Sequence, residues 1–385
     1  FGQQLQSYEK LSQPFLDQLC IQFDQAKGIL ESSKDNIFDN VKVSDDVYDT
    51  DRGFVHPGGI QTEEDFERVR KQISEGNEKV ISAFDILKNS EWSRLTTQTW
   101  PVEVIIRGEG QQNYINAARG AHIAYQSALR WKLENDDAYA RHGVEVLMAW
   151  ARICKLVSGN SNWALAAGIY GYEFAQAAEI LRTFEGWSKK DFEFFKDWMI
   201  RVWALPVYSF LSGRLGTWEN LGYIPGVGHG ADGQRPGHYW SNWGLCNVLA
   251  LQSIGILCDD VFLYNQALSF YKYDQSTQAN WNTEKDLYNR GVMDYIDNLV
   301  PAVHDYEIEK DAYGKIGQMQ ESGRDQGHAT FSLGLAVDIC LTAWNQGDDL
   351  FSYHDNRLAA GIEFVAGYNN ANDDNLPFVT YHYAD

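Results

Sequence analysis

The chain has 385 residues, and its 32 Lys and Arg against 53 Asp and Glu leave a formal net charge of −21. That balance argues against nucleic acid as the main partner, because such binders need an excess of cations to release phosphate counterions. With 44 % hydrophobic residues, 13 Trp, 21 Tyr and 19 Phe, there is enough apolar surface to offset the entropy of folding, which excludes disorder.

No stretch reaches the roughly 18 apolar residues of a membrane helix; the best, Gly244 to Cys258, is broken by Asn247, Gln252 and Ser253. Phe1 to Lys10 lacks the basic-then-apolar pattern of a signal peptide, and no initiator Met is present. Together with many Trp and Tyr and few Lys, this favours a secreted, extracellular chain whose leader has been removed. The five cysteines (Cys20, Cys154, Cys246, Cys258, Cys340) form no CxxC and no regular spacing, which speaks against a zinc site or a dense disulfide framework.

In chain order, residues 1–50 read as an N-terminal helical extension and 51–385 as one domain. Asp45 to Gly59 forms a loop ending in His56-Pro57-Gly58-Gly59, after which Thr62, with Asp65 three residues on, opens a charged helix to about Lys88. Leu95 to Gly110 is irregular. Asn113 to Trp131 is a helix of small and apolar residues, and a turn at Asn135 to Asp137 leads to one with a single stripe of Val146, Leu147, Trp150, Ile153, Cys154 and Val157. Trp163 to Arg182 is apolar nearly all round, whereas Lys189 to Leu211 is amphipathic. A glycine-rich loop, Gly213 to Gly237, precedes another buried-type helix, Tyr239 to Cys258, and then Val261 to Tyr273.

A helix apolar on every side must be enclosed, and one with a single stripe covers it. The alternation therefore predicts an all-α fold, an (α/α) toroid: an incomplete barrel of about six helical hairpins in two concentric layers. Its inner helices all run the same way, so their positive N-terminal ends share one rim suited to anions.

Two polar clusters head inner helices. Arg324, His328, Phe331, Leu335 and Ile339 share a face of the helix running to about Trp344, so Arg324 and His328 continue an inward stripe beside Asp325 and Gln326; Gln326 and Glu321 are expected to bind substrate, the alternative being a structural network in which Arg324 simply pairs with an acid such as Glu321. Asn242, Cys246, Leu249, Ser253 and Ile256 share a face of another, with His238 and Tyr239 just before it; alone, Asn242 is as simply an N-cap. A third inner helix opens at Asn160 to Trp163, contributing Asn162, while Tyr170 and Tyr172 fit the core as well as a site. Trp240 and Trp243 suit stacking on sugar rings, and Arg107, Arg119 and Arg235 add positive charge at the rim. Amide, guanidinium, imidazole and phenol together suit β-elimination on a uronate: the first two stabilise the enolate-like intermediate, and His or Tyr moves the protons.

The run from His56 to Arg70, the run Ala-Gly-Ile-Tyr-Gly-Tyr-Glu-Phe-Ala-Gln-Ala-Ala-Glu-Ile-Leu-Arg182, and above all Gln-Glu-Ser-Gly-Arg-Asp-Gln-Gly-His328 resemble the alginate lyase domain family of polysaccharide lyases. Ala343 to Gly347 and Asp355 to Leu358 fit the same pattern. The resemblance covers residues 50 to 370 and implies an (α/α) toroid, metal-independent cleavage of polymannuronate or glucuronan, and no cofactor. It implies an Asn or Gln against the carboxylate, a His and a Tyr as base and acid and an Arg nearby, roles that Asn242 and Arg324 match best; on this chain's own residues the expectation is His328 or His238 as base, Tyr239 as acid, and Asn242 with Gln326 or Arg324 against the carboxylate. Some relatives carry Asn-His where this chain has Asn242-Trp243, and a Tyr two turns after the Arg, where this chain has only His328 and Phe331. The remaining expectations are an acidic polysaccharide as partner and a monomer. A hydrolase using Glu321, Asp325 and Asp232, a non-catalytic glycan-binding scaffold, and a metal held by His229, His238 and Asp232 are the alternatives.

Overall fold

A computed structural model describes residues 52–214, 241–272 and 325–370. The expected extension over residues 1–50 and nearly all of the glycine-rich segment after Gly213 lie outside the described residues.

Thr62 and Asp65 form the reciprocal capping box their spacing predicts, opening α1 (Glu63–Ser74). The helix does not run on to Lys88. Gly76 turns the chain at φ 80°, a conformation open to a residue without Cβ, and Asn77 caps a separate helix, α2 (Glu78–Asn89). Within the stretch read as irregular lies β1 (Val104–Arg107), which pairs in parallel with β2 (Leu156–Gly159), Arg107 opposite Gly159. Strands of four residues are too short to show an alternating pattern.

The hairpin α3 (Ile115–Glu134) and α4 (Asp137–Ile153) turns at Asn135, φ 57°. The α4 stripe buries Val146, Leu147 and Trp150 but leaves Ile153 43 % exposed, while Val157 belongs to β2. Next come α5 (Asn162–Leu181), α6 (Lys189–Trp198), a π-helical turn (Met199–Ala204) and α7 (Leu205–Arg214). The described part ends with α8 (Ser241–Leu257), α9 (Val261–Lys272), α10 (Gln326–Asn345) and α11 (Tyr353–Asn370).

Helices α3, α5, α8 and α10 pack side by side in that order, forming the inner layer of an (α/α) toroid. Hydrogen bonds join equal depths of neighbours: Asn247 Nδ2 donates to Ala164 O near the starts of α8 and α5, and Gln176 Nε2 to Ser253 Oγ near their ends. Helices α5 and α8 therefore run in the same direction. The layering expectation fails twice: the segment read as one amphipathic helix over Lys189 to Leu211 is broken by the π-helical turn and buried throughout Val202 to Leu211, and in α9 every residue from Phe262 to Tyr271 is buried, so both helices are enclosed rather than one-sided. Much of the Trp content goes into the core: Phe174 lies 5.5–5.6 Å from the rings of Trp150, Trp198 and Trp203. Acidic outer stretches are at the surface as expected, with Glu64, Glu67, Glu75 and Glu193 exposed.

At the rim where the inner helices end, the loop around His56 to Gly59 straps three of them together. His56 Nδ1 is 2.6 Å from Glu179 of α5, and its Nε2 is 2.9 Å from Asp259, which follows α8. Asn345, ending α10, donates to Gly59 O, and Gln346 donates to Gly58 O. Both glycines are required by close approach, since a Cβ at either would lie 2.1 Å from an oxygen of Val55 or Gln176. Arg52 completes the strap through Asp348 at 2.6 Å, over the ring of Tyr264.

Candidate active site

At the opposite rim, Asp325 caps α10. Its Oδ1 accepts the His328 backbone N–H and its Oδ2 lies 2.6 Å from His328 Nδ1. A carboxylate holding Nδ1–H leaves Nε2 to accept a proton, the orientation a base needs. The His328 side chain is 37 % exposed, whereas Leu335 and Ile339 further along the same stripe are buried. Gln326, the first residue of α10, is exposed beside the cap.

Asn242, near the start of α8, is 3 % exposed and its Oδ1 has no hydrogen-bond partner among the described residues. An orphaned buried amide oxygen is costly unless a ligand satisfies it. Cys246, one turn below it, is fully buried, and burial pushes its thiol up to about 12; Cys154 and Cys340 are raised likewise. None of the three supplies a thiolate nucleophile at neutral pH, and the four described cysteines are unpaired.

The other expected residues fall in several environments. Trp243 is partly buried, with its ring 6.4 Å from Phe210, and packs into the core rather than standing out as a sugar platform. Asn162 spends its backbone and side-chain N–H groups on Asn160 Oδ1, a turn-forming role. Arg119 is exposed on the α3 face that also carries His122, its guanidinium 5.7 Å from the Trp92 ring. Tyr172 lies deeper, its phenol pushed up by burial and by the nearby Glu173 and Asp338 carboxylates. Arg324, Glu321, His238, Tyr239 and Trp240 lie outside the described residues, as do His229 and Asp232. Among the described residues no group of three or more His, Cys, Asp or Glu could hold a metal ion.

Sequence reasoning missed a polar cluster midway along the inner helices. His122 Nε2 stands 3.6 Å from Glu173 Oε2, and that carboxylate raises the imidazole's pKa. Tyr125 donates to Gln61 Oε1 at 2.8 Å. Burial pushes Asp338 up to about 6, and its charge reaches both Tyr125 and Tyr172. An acid within a helix as apolar as α5, which carries Glu173 and Glu179, or α10, which carries Asp338 alone, was the available signal, because such residues are rarely enclosed without a use or a partner. Arg119 and the His328–Asp325 pair therefore lie toward the starts of the inner helices, with Glu173 and Asp338 further along them.

The sequence profile of the family described as Alginate lyase matches residues 67–282. No curated protein matches the chain. Among solved structures, an alginate lyase from Bacteroides ovatus is similar over 82 % of this chain and 84 % of that one, at 14 % identity and a TM-score of 0.50. Alginate lyase A1-III from Sphingomonas species A1 is similar over 83 % and 80 %, at 15 % identity and a TM-score of 0.51. A variant of A1-III complexed with tetrasaccharide gives 82 %, 77 %, 13 % and 0.52. At such identities the structural likeness is one of fold, and it agrees with the toroid. The profile match covers more than half of the chain, and the protein belongs to the alginate lyase family of polysaccharide lyases.

Proposed function

We propose that this protein cleaves a uronic-acid polymer, polymannuronate or glucuronan, by metal-independent β-elimination at the rim formed by the starts of α8 and α10. The observation that carries the reading is the pairing of a buried amide with an unpartnered oxygen, Asn242, and an imidazole whose Nδ1 is held by Asp325. The Asn242 Nδ2 group, with Gln326 or Arg324, donates to the carboxylate and stabilises the charge that develops as carbon-5 loses its proton, while Oδ1 is left to accept from a sugar hydroxyl. Nε2 of His328 takes that proton; His238 is the other candidate base. The electron pair forms the double bond between carbons 4 and 5, the bond from carbon 4 to the bridging oxygen breaks, and Tyr239 protonates the departing oxygen. Water is not consumed. Asp325 serves here as the orienter of His328, which removes it from the carboxylate pair a hydrolase would need. A polymer substrate fits a secreted, monomeric enzyme.

His328→Ala should abolish the gain in ultraviolet absorbance from the unsaturated product, and full activity in that variant would refute the assignment. A product with saturated ends would favour the hydrolase instead.

A further inference from the structure

Arg107 ends β1, and the structure around it is built to hold its backbone still. Asn113 accepts from Ile106 N at 2.7 Å and donates to Val104 O at 2.9 Å. From the other side, Asn160 Nδ2 donates to Gly108 O. The pairing residue is Gly159 at φ 133°, where a Cβ would stand 1.9 Å from Arg107 O, so no larger residue permits this register. The guanidinium lies 4.7 Å from the centre of the Tyr114 ring, and Tyr114 stacks on Tyr170 of α5 at 6.3 Å and 15°. Its charge is felt at Tyr170 and at Cys246, one turn below Asn242 on α8.

A cation so placed should be paired. Arg107 has no ion pair among the described residues, and its Nη1 is buried without a hydrogen-bond partner. A buried donor on a charged group costs more to leave unsatisfied than a neutral one, and a planar fork fits a carboxylate better than any other common anion except phosphate. We propose that Arg107 is a binding group for a substrate carboxylate, accepting a uronate of the polymer bound alongside Asn242. The inference rests on the uronan reading for the identity of the ligand, but its geometry is independent of the residues assigned to proton transfer. Arg107 touches no reacting atom in this account: it sets affinity and the preference for charged over neutral polymers.

The test is retardation of the whole chain in native gels carrying polymannuronate or glucuronan, with neutral galactomannan and hydroxyethylcellulose as controls. Arg107→Ala should bind the charged polymers about 10- to 100-fold more weakly, the range expected for loss of a charge-assisted bond, with neutral polymers unaffected. In turnover the loss should fall on KM rather than kcat, and Arg107→Lys should recover part of it. If Arg107→Ala does not fold, Arg107→Lys and Arg107→Gln decide by the same ordering. A folded Arg107→Ala retarded like the parent overturns the proposal, as does a parent that no uronan retards. Arg107-dependent retardation without any unsaturated product would leave the carboxylate site standing and refute the β-elimination reading alone.

Discussion

His328 and Asp338 show how one chemistry is split by environment. Asp325 fixes the imidazole at the rim, so Asp325→Asn should keep the fold yet lower kcat, because an amide no longer favours the tautomer with Nε2 free. A fall of about 10- to 100-fold is expected, read from initial rates. Asp338 is different. Its folded pKa is raised to about 6 by burial, so folding penalises the ionised form; the penalty is absent below the ordinary carboxylate range and complete above about pH 6. Asp338→Asn should therefore stabilise the protein by about 1–2 kcal/mol at neutral pH and leave it unchanged at acid pH. Parallel denaturant titrations at the two pH values check this. Of these two groups only His328 was legible in the sequence, because it heads an inward stripe within a dense polar run. Asp338 stands out in the sequence only as a single acid within an apolar helix, and its significance comes from Tyr125 and Tyr172 on other helices, which linear spacing cannot bring near it.

Among the elements, the inner helices declared themselves through small residues on every face: α3, α5, α8 and α10 begin and end within a few residues of their expected bounds. The failures have physical causes. The break between α1 and α2 turns on Gly76, and a single glycine within charged residues does not distinguish a weakened helix from a stop. The strands β1 and β2 are fixed in place by Asn113, Asn160 and Gly159; Val104, Ile105 and Ile106 favour a strand, but four residues are too few to mark one in the sequence. Gly159→Ala should cost about 1–3 kcal/mol, from backbone strain at positive φ together with the clash on Arg107 O, and should weaken uronan binding by displacing Arg107. Thermal melts and binding measured on the same variant test both halves. Thr62→Ala removes one side of the capping box and should cost about 1 kcal/mol without touching binding.

Over the whole molecule, the two runs that resemble the family near residues 56–70 and 167–182 meet in the structure as a mechanical joint: Gly58 N donates to Glu179, Ile60 N to Gln176, and Arg182 reaches both Glu179 and Asp259. Their place is the rim away from Asn242 and His328, so the motif that helps identify the family serves closure of the toroid. The net charge of −21 is that of the whole chain; Arg119 and His328 lie near the starts of inner helices and Arg107 ends β1, and local attraction there should make KM rise with added salt as screening weakens it. A KM that falls with salt would mean that overall repulsion dominates. The most direct test of the central claim is the chemistry of the new chain end. Incubated with polymannuronate and with glucuronan, the purified protein should release oligosaccharides that absorb in the ultraviolet and whose masses lack the water a hydrolase adds. Saturated, water-added products, or no cleavage of either polymer, would contradict it.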